Sequence, residues 1–184
     1  MTRMPLVAFL LTAAALTAPA QQTRHTVPHH AANPADDTRA NNPAVPDVQS
    51  LDAHIQRIVL LRFKYNTDLL AGLQQAVRDR HIHNAVILSG MGSVRGYQVH
   101  QVDNRDLPPE DIFTKDPTAP ADIIGMSGLV LSGRVHPHIV LANPDHAFGG
   151  HLEPGTTVFT FAIVTIGVLD DALDLTRFDD WNNR

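Results

Sequence analysis

Residues 136–155 read HPHIVLANPDHAFGGHLEPG, and their alternation sets the class of the fold. Side chains along a strand point to opposite faces in turn. His136, His138, Val140 and Ala142 therefore share one face, while Val135, Pro137, Ile139 and Leu141 form the core-facing set. Asn143-Pro-Asp-His146 has the composition of a β-turn, because Asn and Asp bond to nearby backbone and Pro presets φ. The chain then returns through Ala147–Leu152 to a second turn at Glu153-Pro-Gly155. A strand, a tight turn and a returning strand make a hairpin, the unit from which antiparallel sheets are built.

The flanking segments carry the same β character. Strands are predicted at Ile55–Phe63, Asn84–Leu88, Val94–Val102, Ala121–Leu131, Arg134–Ala142 and Thr156–Leu169, the last of them apolar on both faces. Ser89-Gly-Met-Gly-Ser93 reads as a tight glycine turn. A Gly-x-Gly after a strand cradles phosphate when a helix follows, and here a strand follows. One helix is predicted over Thr67–His81, with Leu69, Leu70, Leu73, Ala76 and Val77 on one stripe. Asn66 or Thr67 serves as its N-cap, and Asp68 complements its dipole. Asp103–Pro120 is polar and proline-broken, a surface excursion with room for one short helical turn, and the tail from Asp170 offers a short strand at Leu173–Phe178. The fold class is therefore α/β (α+β): a largely antiparallel sheet of about six strands packed with one main helix. One helix cannot cover that many apolar faces, so a homo-oligomer is expected.

The N-terminal region is of a different kind. Arg3 followed by an apolar run of about a dozen residues, then Ala18-Pro-Ala20, reads as a signal peptide over residues 1–20, with cleavage before Gln21. The run is short of the about 20 residues that a membrane span needs. Residues 21–50, rich in Pro, Asn and Ala, read as a disordered tether whose His25, His29 and His30 are solvated, leaving 51–184 as the folded domain. The location implied is outside the cytoplasm, periplasmic or secreted. The chain has no cysteine, so any transition-metal site must use His with Asp or Glu. The formal net charge is −5, the basic residues are scattered, and DNA is an unexpected partner.

The chemistry concentrates in the opening stretch, which holds four of the eleven histidines. His136 and His138 stand side by side on one strand face, with Cα atoms roughly 7 Å apart. The hairpin brings His151 back opposite one of them, and Gly149-Gly150 lets the backbone bend without crowding. His-x-His followed by a returning His is a three-imidazole metal site, His136, His138 and His151, with a fourth position open to water or a small anion. Zinc, or another divalent transition metal, suits that donor set. His146 falls at the turn tip and faces solvent. His100 lies on another strand, either behind the ligands or in the core. Glu153 is the nearest candidate for a general base, and a turn carboxylate is its plainer role. No Ser-His-Asp arrangement with a nucleophile elbow is present. A cupin, which also uses His-x-His, wants a glutamate shortly after the second histidine, and Asn143 and Asp145 stand there instead.

These residues together carry a resemblance. Asp68-Leu-Leu before the helix, Ala85–Val94 (AVILSGMGSV), Ile123–Gly128, His136-Pro-His138, Leu141–Asp145 and Gly149–Gly155 resemble, in order and spacing, the plants and prokaryotes conserved (PPC) domain. The resemblance spans about Ile58 to Leu169 and implies an α/β fold with a largely antiparallel sheet, assembled as a homotrimer. It implies a metal, zinc foremost, on His136, His138 and His151. Plant members join this domain to AT-hooks that bind DNA, and no Arg-Gly-Arg-Pro hook exists here. Pro120-Ala-Asp122 replaces a family Gly-Arg-Phe-Glu segment associated with partner contacts. Three functions follow as expectations: a trimeric metal-binding module for a small molecule or anion, a metal-assisted hydrolase or lyase acting on water near Glu153, or an interaction scaffold.

Overall fold

Over the described residues, 21–28 and 42–180 of the computed structural model, eight strands and one α-helix form. In chain order they are β1 (Thr23–Pro28), β2 (Arg57–Lys64), α1 (Leu69–Asp79), β3 (Ala85–Val102), β4 (Glu110–Asp116), β5 (Ala121–Leu131), β6 (Arg134–Ala142), β7 (Ala147–Leu152) and β8 (Thr157–Val168). A 3-10 turn at Thr176–Asp179 follows. All strand pairs are antiparallel, in the order β1-β4-β3-β5-β6-β7, and β8 lies between β2 and β3. β7 also returns to pair with β3, so β3, β5, β6 and β7 close on themselves. No described helix is long and apolar enough to cross a membrane.

The core follows from alternation. On β6, Pro137, Ile139 and Leu141 are buried while His138 and Val140 are exposed, as the period of two requires. Ile139, Leu141, Leu152, Val158, Val164 and Ile166 are essentially fully buried, and α1 adds Leu69, Leu73 and Val77 to the same cluster. The helix cap is Asp68, whose carboxylate accepts from the Ala71 N–H at 2.9 Å, so the expected cap at Asn66 or Thr67 moves by one or two residues. Asn66 instead takes the left-handed conformation (φ 65) in the turn before it. The other Asp68 oxygen accepts from Gly155 N at 2.6 Å, which ties the start of the helix to the turn after β7.

Four expectations differ from the fold. Ser89–Ser93 is no turn; β3 runs unbroken through it with register shifts against β8 between Ile87 and Ser89 and between Gly92 and Val94. The glycines serve a bulged, coiled strand: Gly92 sits at φ +136, and a Cβ there would meet the Phe161 carbonyl oxygen at 2.2 Å. Asp103–Pro120 contains β4, a strand whose charged residues suit its place near the sheet edge. Residues 173–178 form no strand, because Asp174 accepts from the Thr176 backbone and hydroxyl and opens the 3-10 turn instead. Residues 21–50 are not uniformly unstructured: β1 pairs with β4, and His25, expected in solvent, stacks on Phe113 at 5.1 Å. The leader at 1–20, together with His29 and His30, lies outside the described residues.

Candidate metal centre

The pairing registers align one residue from each of six strands. His25 faces Phe113, Phe113 faces His100, His100 faces His151, His151 faces His138, and His138 faces Ser127. Directly opposed residues in an antiparallel ladder project from the same face. The row therefore crosses the outside of the closed sheet, opposite the buried Val99, Ile139 and Leu152. His136 joins from two positions back on β6. Four imidazoles result in mutual contact, with ring centres at 4.6 Å (His100–His151), 4.8 Å (His136–His151), 5.3 Å (His136–His138) and 5.5 Å (His138–His151).

Two carboxylates hold this group from either side. Glu153 follows β7 and is placed by its N–H donating to the Gln98 carbonyl at 3.1 Å. Its Oε1 lies 2.6 Å from His100 Nδ1 and 3.2 Å from His151 Nδ1. The His151 Nδ1 is cut off from solvent and out of line for a hydrogen bond, so it has no partner among the described residues. Asp179, from the 3-10 turn, sits 2.8 Å from His136 Nδ1 and 2.5 Å from the Arg134 guanidinium. His136 Nε2 and His138 Nε2 are 3.3 Å apart.

Crowding tells on protonation. Burial first, then the neighbouring His136 and His100, lower the His138 pKa below the ordinary imidazole value, against the pull of Asp179. Burial, then His100 and His136, lower that of His151, against Glu153. For Asp179, burial works upward but is outweighed by the hydrogen bonds and charges of His136 and Arg134, leaving its carboxyl below the usual range. Neutral imidazoles are the form that binds a metal. His100, His151 and Glu153 bring ligand atoms within 4.8 Å of one another, a surface group that could chelate a divalent ion.

Each residue singled out in the sequence has its place here. His136, His138 and His151 converge, and the partner opposite His151 is His138. Glu153 leaves its turn to face the cluster. His146 is exposed beside Phe148 at the hairpin end. One member escaped the sequence reading. His100, read as lying behind the ligands or in the core, stands against His151 through the pairing of β3 with β7. Asp179 arrives from a tail with no local pattern. An open cleft of about 620 Å³ runs along the cluster, lined by His100, His136, His138, His151 and Asp179 among others. A second cleft of about 600 Å³ at Ser93, Asp122 and Phe159 offers one acidic group and no imidazole.

Comparison with known proteins agrees with this architecture. Residues 51–170 match the family described as the Plants and Prokaryotes Conserved (PCC) domain. A hypothetical protein from Salmonella has the same fold at TM-score 0.54 and 23% identity, over 66% of this chain and 81% of its own. A metal-containing protein from Archaeoglobus fulgidus superposes at TM-score 0.52 and 22% identity, over 66% and 86%. A plant- and prokaryote-conserved (PPC) protein from Pyrococcus horikoshii does so at 0.53 and 20%, over 66% and 85%. Among curated sequences, a bifunctional GlmU protein of Synechococcus is 27% identical over 74% of this chain, and the matching region spans 20% of that protein's length.

Proposed function

Because the chain belongs to the Plants and Prokaryotes Conserved domain family, we propose that it is an exported homotrimeric metal-binding module. In this reading His136, His138 and His151 hold zinc or a neighbouring divalent ion, and the remaining position takes a small molecule or anion from the cleft. The observation that carries it is the 3.3 Å between His136 Nε2 and His138 Nε2. A tetrahedral ion about 2.0–2.1 Å from each nitrogen sets its ligand atoms about 3.3–3.4 Å apart and its imidazole centres about 5 Å apart. The three ring separations among His136, His138 and His151, 4.8, 5.3 and 5.5 Å, suit that geometry. The 2.6 Å between Glu153 Oε1 and His100 Nδ1 is a hydrogen-bond length, and in this reading the pair stands beside the three imidazoles. Asp179 faces the Nδ1 of His136 as an orienting carboxylate, the usual partner of a metal-binding histidine, while Glu153 bonds His100 beside the three.

When bound, the metal would supply a Lewis-acid position on the cleft; this chain's own Asp179 orients the His136 imidazole. Metal content in the Archaeoglobus neighbour supports the metal reading, and the leader-like residues 1–20 support export. Trimerisation is supported by exposed apolar side chains on β2, namely Ile58 at 62% and Leu60 at 70% of full exposure.

Elemental analysis of protein purified without chelator is the test. About one zinc-like ion per chain is expected, lost in His138→Ala while the fold survives by circular dichroism. Wild-type protein free of stoichiometric metal would end the proposal.

A further inference from the structure

We propose that Asp179, which lies beyond the family-matched residues 51–170, is a positioning residue that holds His136 as the Nδ1–H tautomer with its Nε2 lone pair turned to His138. Its effect on metal affinity rests on the three-imidazole reading above; its effect on the tautomer does not.

The inference follows from what each atom can donate. The Asp179 Oδ2 lies 2.8 Å from His136 Nδ1, and the Arg134 guanidinium on the same oxygen at 2.5 Å favours the ionised carboxylate. An ionised carboxylate only accepts, so Nδ1 must carry the proton. In a neutral ring that leaves Nε2 bare, 3.3 Å from the Nε2 of His138. Without the carboxylate, a neutral imidazole in water prefers its proton on Nε2, the form that cannot ligate through that atom.

The placement of Asp179 is built into the core. Asn84 is only 2% exposed, and its amide nitrogen donates to the carbonyls of Asp170 (3.1 Å) and Leu173 (2.8 Å). Its side-chain oxygen accepts from Ser132 N at 3.2 Å, which fastens the tail to the β5–β6 turn. Leu175 packs with Leu131 and Leu169 in a small separate cluster. The tail is thereby anchored just before the 3-10 turn that carries Phe178 and Asp179. Those two residues, with Leu129, Leu131, His136 and His138, line an open pocket of about 200 Å³ beside the cluster. A segment outside the family region thus supplies both a wall and a positioning carboxylate.

The test uses full-length, chelator-treated protein with 15N-labelled histidine. Two-bond 1H–15N correlation spectra read the His136 tautomer in wild type, Asp179→Ala and Asp179→Glu. Wild type should show the proton on Nδ1, Asp179→Ala should move it toward Nε2, and Asp179→Glu should restore it. Affinity for Co(II), followed by its visible spectrum against a competing chelator, should fall about 10–100-fold in Asp179→Ala and recover in Asp179→Glu. An unchanged tautomer in Asp179→Ala overturns the proposal; a shifted tautomer with unchanged affinity keeps the positioning role and overturns His136 as a ligand. Wild-type protein that binds neither Co(II) nor zinc, yet shows the tautomer shift, retires the three-imidazole reading and keeps the positioning role.

Discussion

At the residue scale, four imidazoles pack with ring centres near 5 Å from one another. His138 and His151 have lowered pKa values, from burial first and neighbouring histidines second. A histidine kept neutral by the fold contributes stability that is complete above its unfolded value of about 6.5 and is lost as pH falls through the folded value. Metal-free protein should therefore melt at lower temperature at pH 5 than at pH 7.5. The paired change His138→Asn with His151→Asn should flatten that dependence, as differential scanning calorimetry at both pH values would show. An acid-insensitive wild type would contradict the packing argument. His136, His138 and His151 were legible in the sequence because strand alternation and a short hairpin are local rules. Asp179 was not, and for His100 two placements stayed open, since their contacts join positions 43 and 53 residues apart, to His136 and Glu153 respectively.

At the scale of the element, glycine does different work at different places. Gly149-Gly150 suggested room for a bend before His151. The structure gives another reason: a Cβ on Gly149 would meet the Ile139 carbonyl oxygen at 2.1 Å, and one on Gly150 would meet that of His100 at 2.2 Å. These glycines let β7 lie close between β6 and β3, which is what brings His151 between His138 and His100. Gly150→Ala should push β7 off β3, costing about 1–3 kcal/mol and weakening metal binding. Gly125→Ala, with nothing within 4 Å of its added Cβ, should stay within about 0.5 kcal/mol of wild type. Urea unfolding of both variants makes the comparison. The same residue type caused the largest misreading, at Ser89–Ser93. A glycine run signals a turn or a bulge equally well, and only the neighbouring β5 and β8 on either side of β3 decide between them.

At the scale of the molecule, the outer face of β2 and β8 exposes apolar side chains alongside Arg62 and Lys64. Leu60 lies opposite Thr165, Arg62 opposite Ile163 and Lys64 opposite Phe161, with Ile163 facing Met91 on β3 in turn. Ile58, Leu60, Met91 and Phe161 are exposed together. If subunits associate there, Leu60→Glu places a charge in the contact, and sedimentation velocity should show the proposed trimer fall to monomer with circular dichroism unchanged. A wild-type monomer would refute the assembly. The sequence by itself determined the strand-rich α+β class, the amphipathic helix after Asp68, the alternation that buries Ile139 and Leu141, and the hairpin bearing three histidines. Each of those rests on periodicity or turn chemistry within a few residues. Tertiary structure alone decided that β3 runs through its glycines, that β7 returns to β3, and that Glu153 and Asp179 flank the imidazoles. Those outcomes depend on pairing between distant segments, where burial and backbone hydrogen bonding are satisfied by the whole sheet at once rather than by any one stretch of it.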